Sequence, residues 1–272
     1  VVPLEGLNRA LVRQGLKVLA KRKNKGIAAL CDVAEMDSTP NSYHLGFVLG
    51  PRINAGGRVG KSDLGHRLLT SQDSEKAIEL ANQLNLLNTE RKTIELLNVE
   101  QAIAQVEENT CTGSALVVYS DDWHIGVIGL VASRLSERYK KPSLVISLNG
   151  GIGKGSARSV PHIDIGSIVI AAYQSDIVTA GGGHPMAAGF TIDRARIQEF
   201  QKFVEKRIER QGHFEAEPTL SIDGVLSVSA LNSNLIDTFD QLGPFGAGNP
   251  APRFAFSNVR VLKASKVGDG NH

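Results

Sequence analysis

The chain has 272 residues, 42% of them hydrophobic and 21% charged, a balance that excludes a wholly disordered protein and leaves room for two domains. No apolar run reaches the roughly 18 residues that a membrane span needs, and no charged-then-apolar leader opens the sequence, so the cytoplasm is the expected location. The net charge of +2 hides an uneven distribution: residues 1–61 carry 10 Lys and Arg against 4 Asp and Glu, whereas residues 62–110 carry 4 against 9. A basic end of this kind suits a polyanion or forms a solvated helix face. With only Cys31 and Cys111, a disulfide framework and a cysteine zinc site are both excluded, and each cysteine is expected to be a small buried residue.

In chain order, Val1 to Leu4 carry no capping signal, so the chain is expected to open inside an element. Asn8 to Lys21 set Leu11, Leu16, Val18 and Leu19 among Arg9, Arg13, Lys17 and Lys21, an amphipathic helix with a basic face. Ile27 to Val33 reads as a buried apolar segment and Tyr43 to Gly50 as a short helix feeding a loop, Gly50 to Arg58. From Ser74 to Glu108 apolar residues recur every three or four positions without Gly or Pro, which predicts a strut-like helix about 50 Å long. The strands Ala115–Tyr119 and Ser143–Ser147 flank a helix over Val127–Lys140, a βαβ pattern. Next come a glycine-rich turn at Gly150–Gly155, a helix near Ile165–Ala172, a loop at Gly181–His184, a strand Ala188–Ile192 and a helix Arg196–Arg210. From Pro218 the texture turns strand-rich, with alternation at Phe254–Phe256 and Val259–Leu262.

Four segments could carry chemistry. Asp121-Asp122-Trp123-His124-Ile125-Gly126 stands where a strand gives way to a helix, whose first N–H groups and dipole favour phosphate; Gly126 is expected to let a ligand approach the main chain. Asp121 and Asp122 are metal ligands or, as is commoner before a helix, caps. The run Gly150 to Ser159 fits neither a P-loop, since Gly155 follows Lys154, nor a dinucleotide fingerprint, since no helix opens there. What remains is Ser156 and Arg158, two apart on an extended segment and so on one side of it, able to hold a terminal phosphate; alone, the segment would read as a hairpin with a surface Arg. Gly181-Gly182-Gly183-His184 delivers a histidine among residues too small to block access, as an anion-binding nest would. Arg52, Asn54 and Arg58 suit a phosphate backbone or cap neighbouring helices.

Taken in order, Gly50-Pro-Arg-Ile-Asn-Ala-Gly-Gly-Arg58, Leu86-Leu-Asn-Thr-Glu-Arg91, Trp123-His-Ile-Gly-Val-Ile-Gly129, Gly155-Ser-Ala-Arg-Ser159, Gly181-Gly-Gly-His184 and Leu242-Gly-Pro-Phe-Gly-Ala-Gly-Asn-Pro250 resemble the RecJ family of DHH phosphoesterases over essentially the whole chain. The resemblance implies an α/β protein: the C-terminal part of a DHH domain over 1–71, a connecting helix over 72–111, a DHHA1 α/β domain over 112–212 and the start of an OB-type β domain over 213–272. It implies 5′–3′ exonuclease action on single-stranded DNA in recombination and repair, with Mn²⁺ or Mg²⁺ held by Asp and His in the complete protein. The Asp-His-His triplet is not in this sequence, so no catalytic or metal-binding residue is assigned here and the chain is expected to be inactive alone. Carried over by position, Ser156 and Arg158 match the family's 5′-phosphate pocket. Arg52, Asn54, Arg58, His124, Gly182, Gly183 and His184 match its nucleic-acid contacts. Expected partners are a single strand with a 5′ end, single-strand-binding protein and a repair helicase, and no membrane. The alternatives are a DHH-family phosphodiesterase for short oligonucleotides or cyclic dinucleotides and a non-enzymatic nucleic-acid-binding module. A Rossmann dehydrogenase fails for want of an acidic partner to its glycines.

Overall fold

The computed structural model describes residues 2–108, 113–211, 219–260 and 262–265. They form two compact units, each discontinuous in sequence: one of residues 1–23, 38–46 and 216–272, the other of residues 24–37 and 47–215. Cys111 and Pro218 lie outside the described residues, and Cys31 is buried.

The larger unit begins with helix α2 (Lys25–Val33), so the apolar Ile27–Val33 segment is helical; Asn24 starts it by accepting from the Ile27 N–H. A π-helical turn at His44–Leu49 leads into helix α3 (Gly50–Val59), where the sequence predicts a loop. Pro51 sits in its first turn, where a missing N–H does no harm, and tertiary packing overrides the weak propensity of its glycines. Gly56 is one reason: a Cβ there would stand 2.8 Å from the Lys61 carbonyl and 3.3 Å from Leu84. After α4 (Leu64–Thr70) comes the strut, a single helix α5 (Ser74–Glu108) of 35 residues. Its first half packs on α2, α3 and α4, and its second half on strand β1 (Leu116–Ser120) and helix α6 (Ile128–Tyr139).

The sheet contains five strands in the order β1-β2-β3-β5-β4, with β2 at Ser143–Asn149, β3 at Ile152–Arg158, β4 at Ala180–His184 and β5 at Ala187–Asp193. β1 and β2 are parallel, joined through α6; every other pairing is antiparallel. Two residues turn β2 into β3, Gly150 at φ 56° and Gly151 at φ 93°, and consecutive positive φ values are what a tight hairpin of matching twist demands. The expected glycine-rich turn thus shrinks to these two, and the rest of the run is strand. Gly181–His184, expected as a loop, is also strand.

Helices α7 (Ile165–Gln174) and α8 (Ile197–Gln211) cover one face of the sheet, burying Leu144, Ile146, Ala157, Phe190 and Ile192 with Ile168, Phe200 and Val204. Phe190 and Phe200 lie tilted at 57° with centroids 4.8 Å apart. On the other face α6 and the end of α5 cover Leu116, Val118 and Val145 around Trp123, whose indole N–H donates to Gln101 at 2.8 Å.

In the smaller unit, helix α1 (Gly6–Ala20) carries Arg9, Arg13 and Lys17 at four-residue steps. Its Arg9 donates to the carbonyls of Leu242 and Gly243 at 2.6 and 3.0 Å, and the Leu4 N–H donates to Ala247. The tail contributes β6 (Gly224–Leu226), α9 (Ser233–Asp240) and β7 (Phe254–Phe256), with Phe239 stacked on Phe254 at 4.8 Å. Val259 and Arg260, expected to begin a further strand, are not in one, and Val261 lies outside the described residues. No helix among the described residues is long and apolar enough to cross a membrane.

Candidate nucleic-acid interface

The antiparallel register decides which side chains meet. Ser156 on β3 stands opposite Gly189 on β5, which stands opposite Gly182 on β4; Arg158 stands opposite Ala187, which stands opposite His184. Residues directly opposite share a face. Two rungs therefore bring Ser156, Arg158, Gly182 and His184 to one side of the sheet, with backbones about 10 Å apart across two strand spacings. It is the side away from the α7 and α8 core, because the alternate residues Ala157, Ala188 and Phe190 belong to that core.

The floor of this face is bare. A Cβ at Gly182 would meet nothing within 4 Å, and at Gly189 only the Gly155 carbonyl at 3.9 Å. The neighbouring glycines differ: a Cβ at Gly181 would stand 2.8 Å from Val169, and at Gly183 2.4 Å from the Ala187 carbonyl. Gly183, expected as a contact residue, is thus explained by packing against β5, whereas Gly182 is open to a ligand. Gly189 is not singled out by the sequence, although it lies in the small-residue run Ala187-Ala188-Gly189.

One edge of the floor is walled by α6 and α3. The Arg158 guanidinium is half-buried and donates through Nη1 to Ser156 Oγ at 3.1 Å and to the Ala157 carbonyl at 2.8 Å. Loss of water pushes its pKa below the ordinary arginine value, and the nearby Arg58 guanidinium pushes the same way. Neither arginine has a carboxylate partner among the described residues. Two guanidiniums, one partly desolvated, with a hydroxyl beside them form an electrostatic deficit that a phosphate group would fill.

Arg58 arrives from α3 by close backbone contact. Its Nη1 donates to the Gly126 carbonyl at 2.9 Å, and a Cβ on Gly126 would stand 2.0 Å from the Arg58 carbonyl oxygen. Gly126 is therefore glycine so that α3 can approach, and the expectation that it admits a ligand is corrected. His124 is exposed, with Nδ1 accepting from the Gly126 N–H at 3.0 Å, which leaves Nε2 for an outside partner. Asp121 and Asp122 do not cap α6, which starts later behind Val127 without a side-chain cap; Asp121 instead pairs with Arg194 at 2.8 Å.

The three α3 residues separate. Arg52 donates to Asn85 Oδ1 at 2.9 Å and to the Val48 carbonyl at 2.8 Å, and burial lowers its pKa. It pins α3 to α5 as a helix tie through Nε and Nη1. Asn54 and Arg58, four apart and so on one helix face, line an open groove of about 730 Å³ with Arg91, Lys92, Leu96 and Arg134. Glu95 engages Arg91, and Arg134 at 3.5 Å, leaving the groove cationic on balance. Lys92 and Arg134 escape a reading of the sequence, because nothing in the spacing shows that α5 and α6 face α3.

No group of three His, Cys, Asp or Glu side chains that could hold a metal ion occurs among the described residues, so the donors present do not fit a divalent-metal centre.

Residues 112–210 match the DHHA1 domain and residues 222–272 the RecJ OB domain. Over its length the chain is 32% identical to the single-stranded-DNA-specific exonuclease RecJ of Bacillus subtilis, covering 98% of this chain and 34% of that protein. Identity to the Haemophilus influenzae RecJ is 33%, covering 100% and 49% respectively. The crystal structure of RecJ from Thermus thermophilus in complex with Mn²⁺ superposes with a TM-score of 0.83 at 31% identity, covering 94% of this chain and 38% of that one. The chain thus spans about a third to a half of the length of these relatives. On these matches it belongs to the RecJ family and carries that family's DHHA1 and OB domains.

Proposed function

We propose that this chain supplies the end-binding and strand-binding part of a 5′–3′ single-stranded-DNA exonuclease of recombination and repair, acting in the cytoplasm. The observation that carries the proposal is the Arg58–Arg158 pair beside Ser156, without a carboxylate among the described residues, at the edge of a glycine floor. A 5′-terminal phosphate is taken by Ser156 and Arg158. The strand beyond it passes Arg58, Asn54, His124 and His184, and Gly182 lets it lie close to the sheet.

Fixing the terminal phosphate sets which phosphodiester is presented for cleavage, and orientation of that kind is worth several orders of magnitude in rate. The cleaving ions, Mn²⁺ or Mg²⁺ in the complete protein, are assigned to residues other than these. The chain's own residues bind and orient the strand. Partners in the cell are single-stranded DNA with a 5′ end, single-strand-binding protein and a repair helicase. The match to the RecJ OB domain favours this reading over a phosphodiesterase for short oligonucleotides or cyclic dinucleotides, and the relatedness of residues 1–111 favours it over an isolated DHHA1 binding module.

Arg158→Ala tests the reading. Loss of one charge-assisted contact should weaken binding of a 5′-phosphorylated oligonucleotide by about tenfold or more, and of its 5′-hydroxyl counterpart much less, measured by fluorescence anisotropy. Equal losses would refute the pocket. The purified chain with Mn²⁺ should leave the strand intact; an appreciable metal-dependent rate that survives mutation of His124 and His184 would overturn the division of labour.

A further inference from the structure

We infer that Gly129, on α6, is a positioning residue that determines the specificity of the pocket: its lack of a side chain lets Ser156 and Arg158 take the places in which they meet a terminal phosphate. The inference rests on the end-binding reading above and adds a residue to it. The point where a Cβ would stand on Gly129 lies 3.1 Å from Ser156 Oγ and 3.1 Å from Arg158 Nη2. The hydroxyl and the guanidinium nitrogen thus pack directly against the Gly129 Cα, closer than a side chain on that residue would allow. A methyl group there would push both groups out of the positions in which they meet a phosphate oxygen.

The surrounding residues give no room for escape. Arg158 Nη1 is held by Ser156 Oγ and the Ala157 carbonyl, so the guanidinium retreats only by giving up those bonds. Ser156 and Arg158 sit on a strand paired on both sides, with β2 and with β5. Helix α6 is anchored too, by Ile128, Val131, Ala132 and Leu135 in the core around Trp123. Helix propensity alone would favour alanine over glycine in a first turn so well supported.

Gly126 and Gly129 lie three residues apart and serve different ends. At Gly126 the space is filled by the Arg58 backbone, so a side chain would break the fold; at Gly129 the close neighbours are the two polar side-chain groups that make the pocket.

The test compares Gly129→Ala, Gly126→Ala and Arg158→Ala in the 272-residue chain, using 5′-phosphorylated and 5′-hydroxyl oligothymidylate of equal length. Gly129→Ala should lower affinity for the phosphorylated strand by about tenfold, as loss of one charge-assisted contact does, leave the hydroxyl strand within about twofold, and keep the melting temperature. Gly126→Ala should lower the melting temperature and depress both strands together. In the double variant, Gly129→Ala should add nothing to Arg158→Ala, since both remove the same contact. An unchanged preference in Gly129→Ala, or a fall in melting temperature with parallel loss of both strands, overturns the inference. If Arg158→Ala also leaves the preference unchanged, the end-binding reading itself has failed; if only Gly129→Ala does, that reading stands.

Discussion

The two halves of the DHHA1 sheet are built to different rules. Strands β1 and β2 are parallel and buried on both faces, and their sequences, Leu116-Val-Val and Leu144-Val-Ile, are almost continuously apolar. Strands β3 and β5 alternate buried and open positions, and β4 is Ala-Gly-Gly-Gly-His. One half holds the domain together, and the other trades side-chain packing for a surface on which main chain, hydroxyl and guanidinium are accessible. Stability and binding can thus be altered separately according to which half, and which face of the second half, is changed.

The largest way to break this contrast is through the packed face. Phe200→Ala should cost about 3–5 kcal/mol, because a fully buried aromatic ring leaves a cavity under Phe190. Denaturant unfolding followed by Trp123, the one tryptophan in the sequence, would report it as a lowered midpoint at constant slope. Gly155→Ala comes next. Its Cβ would stand 2.1 Å from the Phe190 ring, and overpacking of this kind costs about 1–3 kcal/mol. On the open face, Gly182→Ala should change stability by less than about 0.5 kcal/mol, as surface changes do, while weakening strand binding. A stability loss as large as that of Gly155→Ala would show that the face is not open. The smallest effect sharpens the comparison within α3: Arg58→Ala should reduce the salt slope of single-strand binding by about 0.7, the value for one phosphate contact. Arg52→Ala should leave that slope alone and lower the melting temperature, since Arg52 ties α3 to Asn85.

Much of the fold is legible in the sequence. The βαβ start, the long α5 and helices α7 and α8 all follow from periodicity, because their apolar residues bury against one another in the way the spacing implies. The segments that mislead are those rich in glycine. Gly50–Arg58 reads as a loop because Gly, Pro and Asn disfavour helix; it is helical because Gly56 lets α3 pack against Leu84 and Lys61, a tertiary effect invisible to propensity. Gly181–His184 reads as a loop for the same reason, yet pairs residue for residue with β5. Ser156, Arg158 and His184 can be picked out by chemical type, but the proximity of Arg58 to Arg158, 100 positions apart in the sequence, depends on how α3 docks against Gly126. The roles of the glycines are legible only once the space beside each Cα is known.

The unbroken course of α5 also sets a mechanical constraint. Arg52 on α3 engages the helix at Asn85, whereas Arg134 on α6 engages it at Glu95, and no hinge residue lies between. Each residue added to an α-helix turns the remainder of that helix by about 100° and advances it about 1.5 Å. A single-residue insertion between Asn85 and Glu95 would swing Arg58 out of step with Arg158 while leaving both chemically intact. Insertions of about seven residues, close to two full turns, would restore the azimuth but leave an axial offset of about 10 Å, so both the phase and the length of this helix set the distance between the two guanidiniums.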